Sequence, residues 1–147
     1  MHKATIDDLP DIIALLAEDD LGQSRERVGT TPDQRYIDAF HRINDDPNQF
    51  LMVVTLNDIT VGTCHLTIMP SLTFTGSTRM QIEAVRVSSK HRGQKIGKWM
   101  MNAAIDYATA QGATILQLTT NLKRPRARAF YERFGFEAGH VGMKLYL

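Results

Sequence analysis

Apolar residues recur at helical spacing in four stretches of the chain. Thr5 is a suitable N-cap for the first predicted helix, which is expected to end near Asp19. The following residues 20–31 contain two glycines and several polar residues, which favours a loop. The other helices are predicted at residues 31–44, 96–112 and 125–134, where apolar side chains return every three or four positions.

Strand-like stretches occupy the middle and the end of the sequence. Residues 50–56 and 59–69 are rich in apolar and β-branched residues and flank Asn57-Asp58, which predicts a hairpin. Further strands are predicted at residues 78–87, 114–119 and 136–147. The order β-α-α-β-β-β-α-β-α-β indicates a single α/β (α+β) domain over residues 1–147, with helices on both faces of a mixed sheet.

The stretch 78–87 alternates most clearly between apolar and polar positions. Because successive side chains of a strand point to opposite faces, one face is expected to hold Met80, Ile82 and Ala84. The other face is expected to hold Gln81, Glu83, Val85 and Val87. Glu83 is therefore predicted to share a face with Val85.

The charge balance argues for a local binding site rather than a charged surface. The sequence has 17 Lys plus Arg against 16 Asp plus Glu, so a net charge of +1 gives no overall attraction to nucleic acid or to an anionic membrane. Cys64 is the single cysteine, which excludes an internal disulfide and a cysteine-based zinc cluster, and no metal site is predicted. With no secretory signal and no apolar run near the roughly 20 residues of a membrane span, a cytoplasmic protein is expected.

A basic loop between the strand 78–87 and the next helix carries the main functional signal. The first turn of a helix presents unpaired N–H groups and a positive dipole end, and Gly93 and Gly97 let a ligand approach the backbone. Four positive side chains surround this turn: Lys90, Arg92, Lys95 and Lys98. The loop predicts a diphosphate site, with a solvated basic turn as the alternative. The spacings of the Walker A and G-x-G-x-x-G motifs are both missing.

The same loop resembles the Q/R-x-x-G-x-G/A motif of the GNAT superfamily of acetyl-CoA-dependent N-acetyltransferases. Arg92 takes the first position and Gly97 the last, whereas Lys95 replaces the middle glycine and is expected in an ordinary helical conformation. Asn121 and the segment around Tyr131 match the family in order. Residues 119–124 and 130–131 are also similar to aminoalkylphosphonate N-acetyltransferases.

The resemblance implies a GNAT-type fold: a central mixed, mostly antiparallel sheet, splayed between strands 4 and 5 and flanked by about four helices. It implies acetyl-CoA as cosubstrate in that splay, a small-molecule primary amine as acceptor, and a possible homodimer. Arg124 stands where many members carry asparagine. The residues that it assigns to the cofactor are Val85, Arg86, Val87, Arg92, Gly93, Gln94, Lys95, Ile96, Gly97, Lys98, Asn121 and Arg124.

The chemistry of amine acetylation assigns two catalytic candidates. The acceptor amine arrives protonated and must lose a proton, for which Glu83 is the candidate base. The alternatives for Glu83 are an exposed strand carboxylate, or a salt bridge to Arg86 or to a neighbouring strand. Tyr131 matches the family tyrosine that protonates the departing thiolate, and simple aromatic packing is its alternative. His65 and His140 are candidates for the amine pocket or structural histidines, and Cys64 is interpreted as a small buried hydrophobe.

Other functions compete with small-molecule acetylation. A protein lysine or N-terminal acetyltransferase would use the same cofactor site with a more open acceptor groove. A non-catalytic CoA sensor would keep the loop but not need Glu83 and Tyr131. Nucleic-acid binding would use the basic run of Lys123, Arg124, Arg126 and Arg128, but the nearly neutral net charge argues against it.

Overall fold

A mixed β-sheet separates two layers of helices in the computed structural model, which describes residues 1–18 and 20–147. Its strands within that range lie in the order β1-β2-β3-β4-β5, with antiparallel pairing from β1 to β4 and parallel pairing of β4 with β5. The α/β class and the mostly antiparallel mixed sheet are therefore confirmed. The strands are β1 (His2–Lys3), β2 (Gln49–Leu56), β3 (Ile59–Pro70), β4 (Thr78–Val87) and β5 (Ile115–Leu118).

The helices begin and end close to their predicted positions, with local corrections. Part of the predicted loop 20–31 is a short helix, and the second predicted helix begins three residues late because Asp33 caps it, its Oδ1 accepting from the amide of Arg35 at 3.0 Å. The predicted end of the first helix at Asp19 lies outside the described residues; the helix itself ends at Ala17. The helices are α1 (Leu9–Ala17), α2 (Asp20–Gln23), α3 (Gln34–Asp45), α4 (Ile96–Ala110) and α5 (Pro125–Glu132).

Two hydrophobic clusters hold the layers together, one on each face of the sheet. The larger joins α4 and α5 to β3 and β4, and it includes Met80, Ile82 and Met100. The smaller joins α1 and α3 to β2 through Ile12, Phe40 and Val53 among others. The strands thus carry apolar side chains on both faces, which is why helices are needed on both sides.

The hairpin between β2 and β3 is confirmed and has a tight two-residue turn. Asn57 and Asp58 both adopt a positive φ, at 50° and 60°. Two consecutive left-handed residues match the right-handed twist of the flanking strands, and Asn and Asp tolerate that conformation better than most residues.

The predicted final strand at 136–147 is wrong. All of these residues are described, and none of them lies in a strand or helix. Phe136 packs against the larger cluster, but everything from Glu137 to the end is exposed. A strand exists only where a neighbour accepts its backbone hydrogen bonds, and the alternating sequence of this segment meets no such neighbour among the described residues.

Candidate active site

Strands β4 and β5 are hydrogen-bonded only along the first half of β4 and then splay apart. They pair from Arg79 opposite Ile115 to Ile82 opposite Leu118, and β4 then continues to Val87 without a partner on that side among the described residues. The backbone groups that point toward the β5 side in this part of β4 therefore face a gap instead of a neighbouring strand, whereas those on the other side face β3. The splay between strands 4 and 5 is as predicted.

A β-bulge lies at the start of this unpaired segment. In the pairing with β3, His65 is opposite Glu83 and Thr63 is opposite Arg86. Two residues of β4, Ala84 and Val85, are therefore opposite the single β3 residue Cys64. Ala84 has a φ of 50°, in the left-handed region. An extra residue of this kind bends the strand and breaks the ladder locally.

The bulge corrects the predicted faces of β4. Val85 and Val87 pack against the same cluster as Met80 and Ile82, because the extra residue reverses the alternation. Glu83 therefore does not share a face with Val85. Its exposed carboxylate lies on the opposite face of the sheet, the one that carries α1 and α3.

His65 is the direct cross-strand neighbour of Glu83. Its Nε2 is buried and makes no hydrogen bond to any residue in the described part of the chain. Burial lowers the pKa of His65 below its usual range, and the charge of Glu83 opposes that effect. The ring is therefore neutral at pH 7, beside a carboxylate and beside the bulge.

The loop after β4 reaches α4 through two left-handed residues. A 3₁₀ turn spans Ser89–His91, Gly93 has a φ of 82°, and Lys95 has a φ of 62° as the N-cap of α4. The expected helical conformation of Lys95 is therefore wrong: the lysine adopts the backbone conformation that glycine favours. The amides of Ile96, Gly97 and Lys98 form the first turn, where a helix has no internal acceptors for them.

Replacing Lys95 by glycine is expected to leave stability unchanged or raise it by up to about 1 kcal/mol. A non-glycine residue in the left-handed region costs about 1–2 kcal/mol, which outweighs the flexibility that glycine adds to the unfolded chain. Lys98→Gly is the matched control, because Lys98 is helical and glycine there costs about 1 kcal/mol. Urea unfolding of both variants measures the difference, and an equal loss in both would contradict the strained conformation of Lys95.

Gly97 brings three elements together at the start of α4. A Cβ atom at this position would lie 3.6 Å from Cγ2 of Val87 and 3.7 Å from Cζ of Phe130. Those are ordinary van der Waals distances, so a methyl group fits but a longer side chain has to turn toward the loop. The end of β4, the first turn of α4 and the inner face of α5 are therefore packed together around Gly97.

Tyr131 lies on that inner face of α5. Its ring packs against the larger cluster and forms edge contacts with Phe130 and Phe136 at centroid distances of 5.3 and 6.0 Å. Burial raises the pKa of Tyr131 above its usual value of 10, while the positive charges of Arg124 and Arg86 oppose the rise. The phenol is therefore protonated at neutral pH and available as a hydrogen-bond donor.

A sequence profile of the Acetyltransferase (GNAT) family matches residues 13–136. The chain belongs to this GNAT family. Aminoalkylphosphonate N-acetyltransferase from Salmonella typhimurium is 32% identical over 107 residues, which are 73% of this chain and 69% of that protein. Several other matched N-acetyltransferases are longer, and the alignments span 27–36% of their length. The chain is therefore an acyltransferase.

Solved structures agree with the GNAT fold over the whole chain. A transcriptional regulator from Bacillus halodurans C-125 has a TM-score of 0.96 and 40% sequence identity, with 99% of this chain and 97% of that chain covered. A putative acetyltransferase from Agrobacterium tumefaciens has a TM-score of 0.86 and 26% identity, with 99% and 98% covered.

Glu18 contacts the beginning of the basic loop, a connection that the sequence did not reveal. Its carboxylate accepts a hydrogen bond from the amide of Ser89 at 2.6 Å and another from Oγ of Ser88 at 3.3 Å. The contact ties the C-terminal end of α1 to the beginning of the basic loop. A partner 70 residues away leaves no local signal, so only the folded chain shows the connection.

The remaining predicted cofactor residues of the GNAT site lie around the loop and the gap. Arg92, Gln94 and Lys95 are exposed on the loop. A guanidinium NH1 of Arg86 donates to the carbonyl of Val85 at 2.9 Å. Arg124 is the N-cap residue of α5.

Asn121 lies in the turn that follows β5. Its Oδ1 accepts from the amide of Lys123 at 2.9 Å, which holds the side chain in that turn. The side-chain NH₂ group of Asn121 is a hydrogen-bond donor, which suits it to bind a carbonyl of a ligand in the gap between β4 and β5.

Cys64 and His140 lie in contrasting environments. Cys64 is fully buried, and burial raises the pKa of its thiol to about 12, so the reactive thiolate is absent at neutral pH. This agrees with the interpretation of Cys64 as a small buried hydrophobe. His140 is exposed in the C-terminal segment. In the described part of the chain, no helix has the length and apolar character needed to cross a membrane.

Proposed function

We propose that this GNAT enzyme transfers the acetyl group of acetyl-CoA directly to the primary amine of a small molecule, in the cytoplasm. The proposal rests on two adjacent groups of backbone atoms: those of β4 beyond its pairing with β5, and the N–H groups at the start of α4. We call the place where they meet the junction. The part of β4 that continues beyond its pairing with β5 leads straight into a loop whose helix amides suit a diphosphate. A ligand with an amide-containing arm attached to a diphosphate could bind both, with its arm along β4 and its diphosphate at the start of α4.

The residues around the junction have the chemistry that each part of acetyl-CoA requires. The first-turn amides of α4, with Arg92 and Lys98 beside them, would hold the diphosphate. The backbone of Val85 and Val87, on the part of β4 that β5 does not pair, would hold the pantetheine arm together with the side chain of Asn121. When bound, acetyl-CoA supplies an activated acetyl group on a thioester.

Two side chains of the enzyme would handle the proton that the amine loses and the proton that the departing thiolate gains. An alkylamine has a pKa near ~10.4, so it arrives charged, and Glu83 accepts its proton directly or through a water molecule. The amide N–H of Val85 donates to the acetyl oxygen as negative charge develops on it. Tyr131 donates its phenolic proton to the sulfur that leaves.

Glu83→Gln is expected to lower kcat/KM about 100-fold at pH 7 because the amide cannot accept the proton. The loss should shrink as the pH rises toward the pKa of the acceptor amine, since the amine then arrives neutral. Asp106→Asn, an exposed carboxylate on α4, serves as the matched control. Steady-state thiol release across pH measures both variants, and an unchanged profile for Glu83→Gln would remove its role as base.

The acceptor is proposed to be a small amine that carries an acidic group. Support comes from the 32% identity to an aminoalkylphosphonate N-acetyltransferase over most of both chains. A thiol-release screen should therefore favour aminophosphonates over polyamines and neutral amines, and amino acids test whether a carboxylate can replace the phosphonate. A peptide array run in parallel tests the protein-acetyltransferase alternative, and acceptor-dependent thiol release excludes a pure CoA sensor.

DNA binding is a second candidate, favoured by one observation. The 40% identical structure from Bacillus halodurans is called a transcriptional regulator. In this chain, however, Arg128 of the basic run pairs with Glu132 at 2.8 Å, and the overall charge is nearly neutral. A gel shift at increasing salt is expected to show no sequence preference. A specific complex that weakens in Arg126→Ala would support regulation instead.

A further inference from the structure

His65 carries a buried polar atom that the proposed reaction leaves unused. Its Nε2 is covered and has no hydrogen-bond partner among the described residues. Native proteins pair nearly all of their buried polar groups, because an unpaired group loses its hydration without compensation. An exception beside a proposed active site therefore calls for a functional explanation.

The ring of His65 lies on the face of the sheet that also carries Glu83. Cys64 and Leu66, on either side of His65 in β3, both belong to the larger cluster. Because successive side chains of a strand alternate, His65 points to the other face. The imidazole as a whole is only partly buried, and χ2 of histidine varies over a broad range. Nε2 can therefore turn toward a ligand on this face without movement of the backbone.

The flanking polar side chains of β3 on this face are already engaged elsewhere. Oγ1 of Thr63 donates to the carbonyl of Met52 at 2.8 Å. Oγ1 of Thr67 donates to Oε1 of Gln49, also at 2.8 Å. Their hydroxyl protons are therefore directed toward β2 and away from His65.

Across the sheet, His65 lies between an apolar neighbour and a charged one. Leu51 is opposite on β2 and is buried in the smaller cluster. Glu83 is opposite on β4 and is exposed. Directly opposite side chains have Cβ atoms roughly 4.5–5.5 Å apart. An imidazole and a carboxylate therefore stand side by side on the face from which an acceptor would reach Glu83.

We propose that His65 binds the acidic group of the acceptor while Glu83 binds its amine. This inference rests on the proposed function. The neutral imidazole carries one proton, and with that proton on Nε2 it donates a hydrogen bond to a phosphonate or carboxylate oxygen. The short separation of the two side chains suits an acceptor whose acidic group is one or two carbons from its nitrogen. His65 is in this view a specificity residue and takes no part in proton transfer.

Two arginines are the alternative partners for an acidic group. Arg27 is exposed on the segment between α2 and α3, and its charge acts on Asp33 at the start of α3. Arg86 lies beyond the bulge, where its NH1 donates to the carbonyl of Val85 at 2.9 Å. Both guanidinium groups thus have a counterpart within the chain, which favours His65.

The first experiment compares aminoethylphosphonate with propylamine, a similar amine without the acidic group, in steady-state thiol release. His65→Phe keeps a ring but removes both nitrogens. We expect its kcat/KM for aminoethylphosphonate to fall at least about 10-fold, mainly through KM, because a hydrogen bond to a charged group contributes that much or more. The value for propylamine should stay nearly unchanged. His65→Gln keeps an N–H donor and should recover most of the loss.

An equal fall with both amines would make His65 a structural residue and overturn the proposal, as would no fall with the phosphonate. His41→Phe, at an exposed histidine of α3, is the matched control and should keep the selectivity of the unmodified enzyme. Selectivity that is lost in Arg27→Gln and kept in His65→Phe would assign the acidic group to the arginine instead. Melting temperatures check folding, and His65→Leu carries the same test where His65→Phe does not fold.

The second experiment measures binding without acetyl transfer. Aminoethylphosphonate is titrated calorimetrically into the protein with CoA, which has no acetyl group to give. We expect a Kd at least about 10-fold weaker for His65→Phe and unchanged for His41→Phe. Binding that depends on His65 in a protein that acetylates no amine would support this site and refute the proposed reaction. Acetylation of amines without any preference for the phosphonate, or no binding of it, would overturn the site alone.

Discussion

Gly97→Glu is expected to abolish acetyl-CoA binding while the protein stays folded. The position lies in the first turn of α4, against Val87 and Phe130, so a long side chain must extend toward the loop where the diphosphate is proposed to bind. The added carboxylate would sit among amides and dipoles that favour an anion, and it would repel the phosphates. We expect at least a 100-fold weaker Kd, about 2.7 kcal/mol, by isothermal titration calorimetry.

Two control substitutions separate the causes of that loss. Gly97→Ala adds a methyl group at ordinary contact distances and should bind within a few-fold of the unmodified enzyme. Gly97→Gln keeps the length of the glutamate without its charge and should be intermediate. Normal binding by Gly97→Glu, with an unchanged melting temperature, would move the diphosphate site away from this loop.

Tyr131→Phe is expected to reduce kcat by about 100-fold or more without weakening acetyl-CoA binding. General acids of this kind contribute about 10²–10⁴-fold, and phenylalanine keeps the ring contacts with Phe130 and Phe136 while removing the proton. Burial raises the pKa of Tyr131 above 10, so its ionisation should lower kcat only above that pH. Pre-steady-state thiol release and calorimetry together separate turnover from affinity.

Tyr107→Phe is the matched control for the loss of a phenol. Tyr107 is also partly buried on the larger cluster, where it stacks on Phe50 at a centroid distance of 4.6 Å, but it lies on α4 outside the proposed site. Its kcat should be unchanged. Equal kcat values for Tyr131→Phe and the unmodified enzyme would leave Tyr131 as a packing residue.

Much of the fold could be predicted because its signals are local. Alternation over residues 78–87 predicted β4 with its observed bounds, and the Asn57-Asp58 pair predicted the hairpin. Helix α4 begins at Ile96, as the apolar spacing indicated. These features depend on neighbours a few positions away, which a sequence displays directly.

The errors arise where distant parts of the chain determine the structure. The bulge at Ala84 exists because β3 and β4 differ by one residue between paired positions, a mismatch that neither strand shows alone. The contact of Glu18 with Ser89 joins elements that are far apart in sequence. The wrong final strand has the same origin, since alternation predicts the ability to pair but not the presence of a partner.

The candidate site was predictable in its chemistry and less so in its geometry. The basic loop and its two glycines indicated an anion site, and the family resemblance supplied the order of the remaining residues. The left-handed Lys95 could not be predicted from its residue type, because lysine rarely adopts that conformation. Roles for Glu83, Tyr131 and the cofactor residues remain predictions that the substitutions above test.

The bulge at Ala84 divides β4 into two parts whose side chains alternate in opposite register. Even-numbered residues face the larger cluster before it, and odd-numbered residues face that cluster after it. An insertion or deletion of one residue at this point would therefore turn Val85 and Val87 away from the larger cluster and turn Arg86 toward it. The length of this strand is as strongly constrained as its composition, and alignments of relatives that place a gap here would misassign both the core and the site.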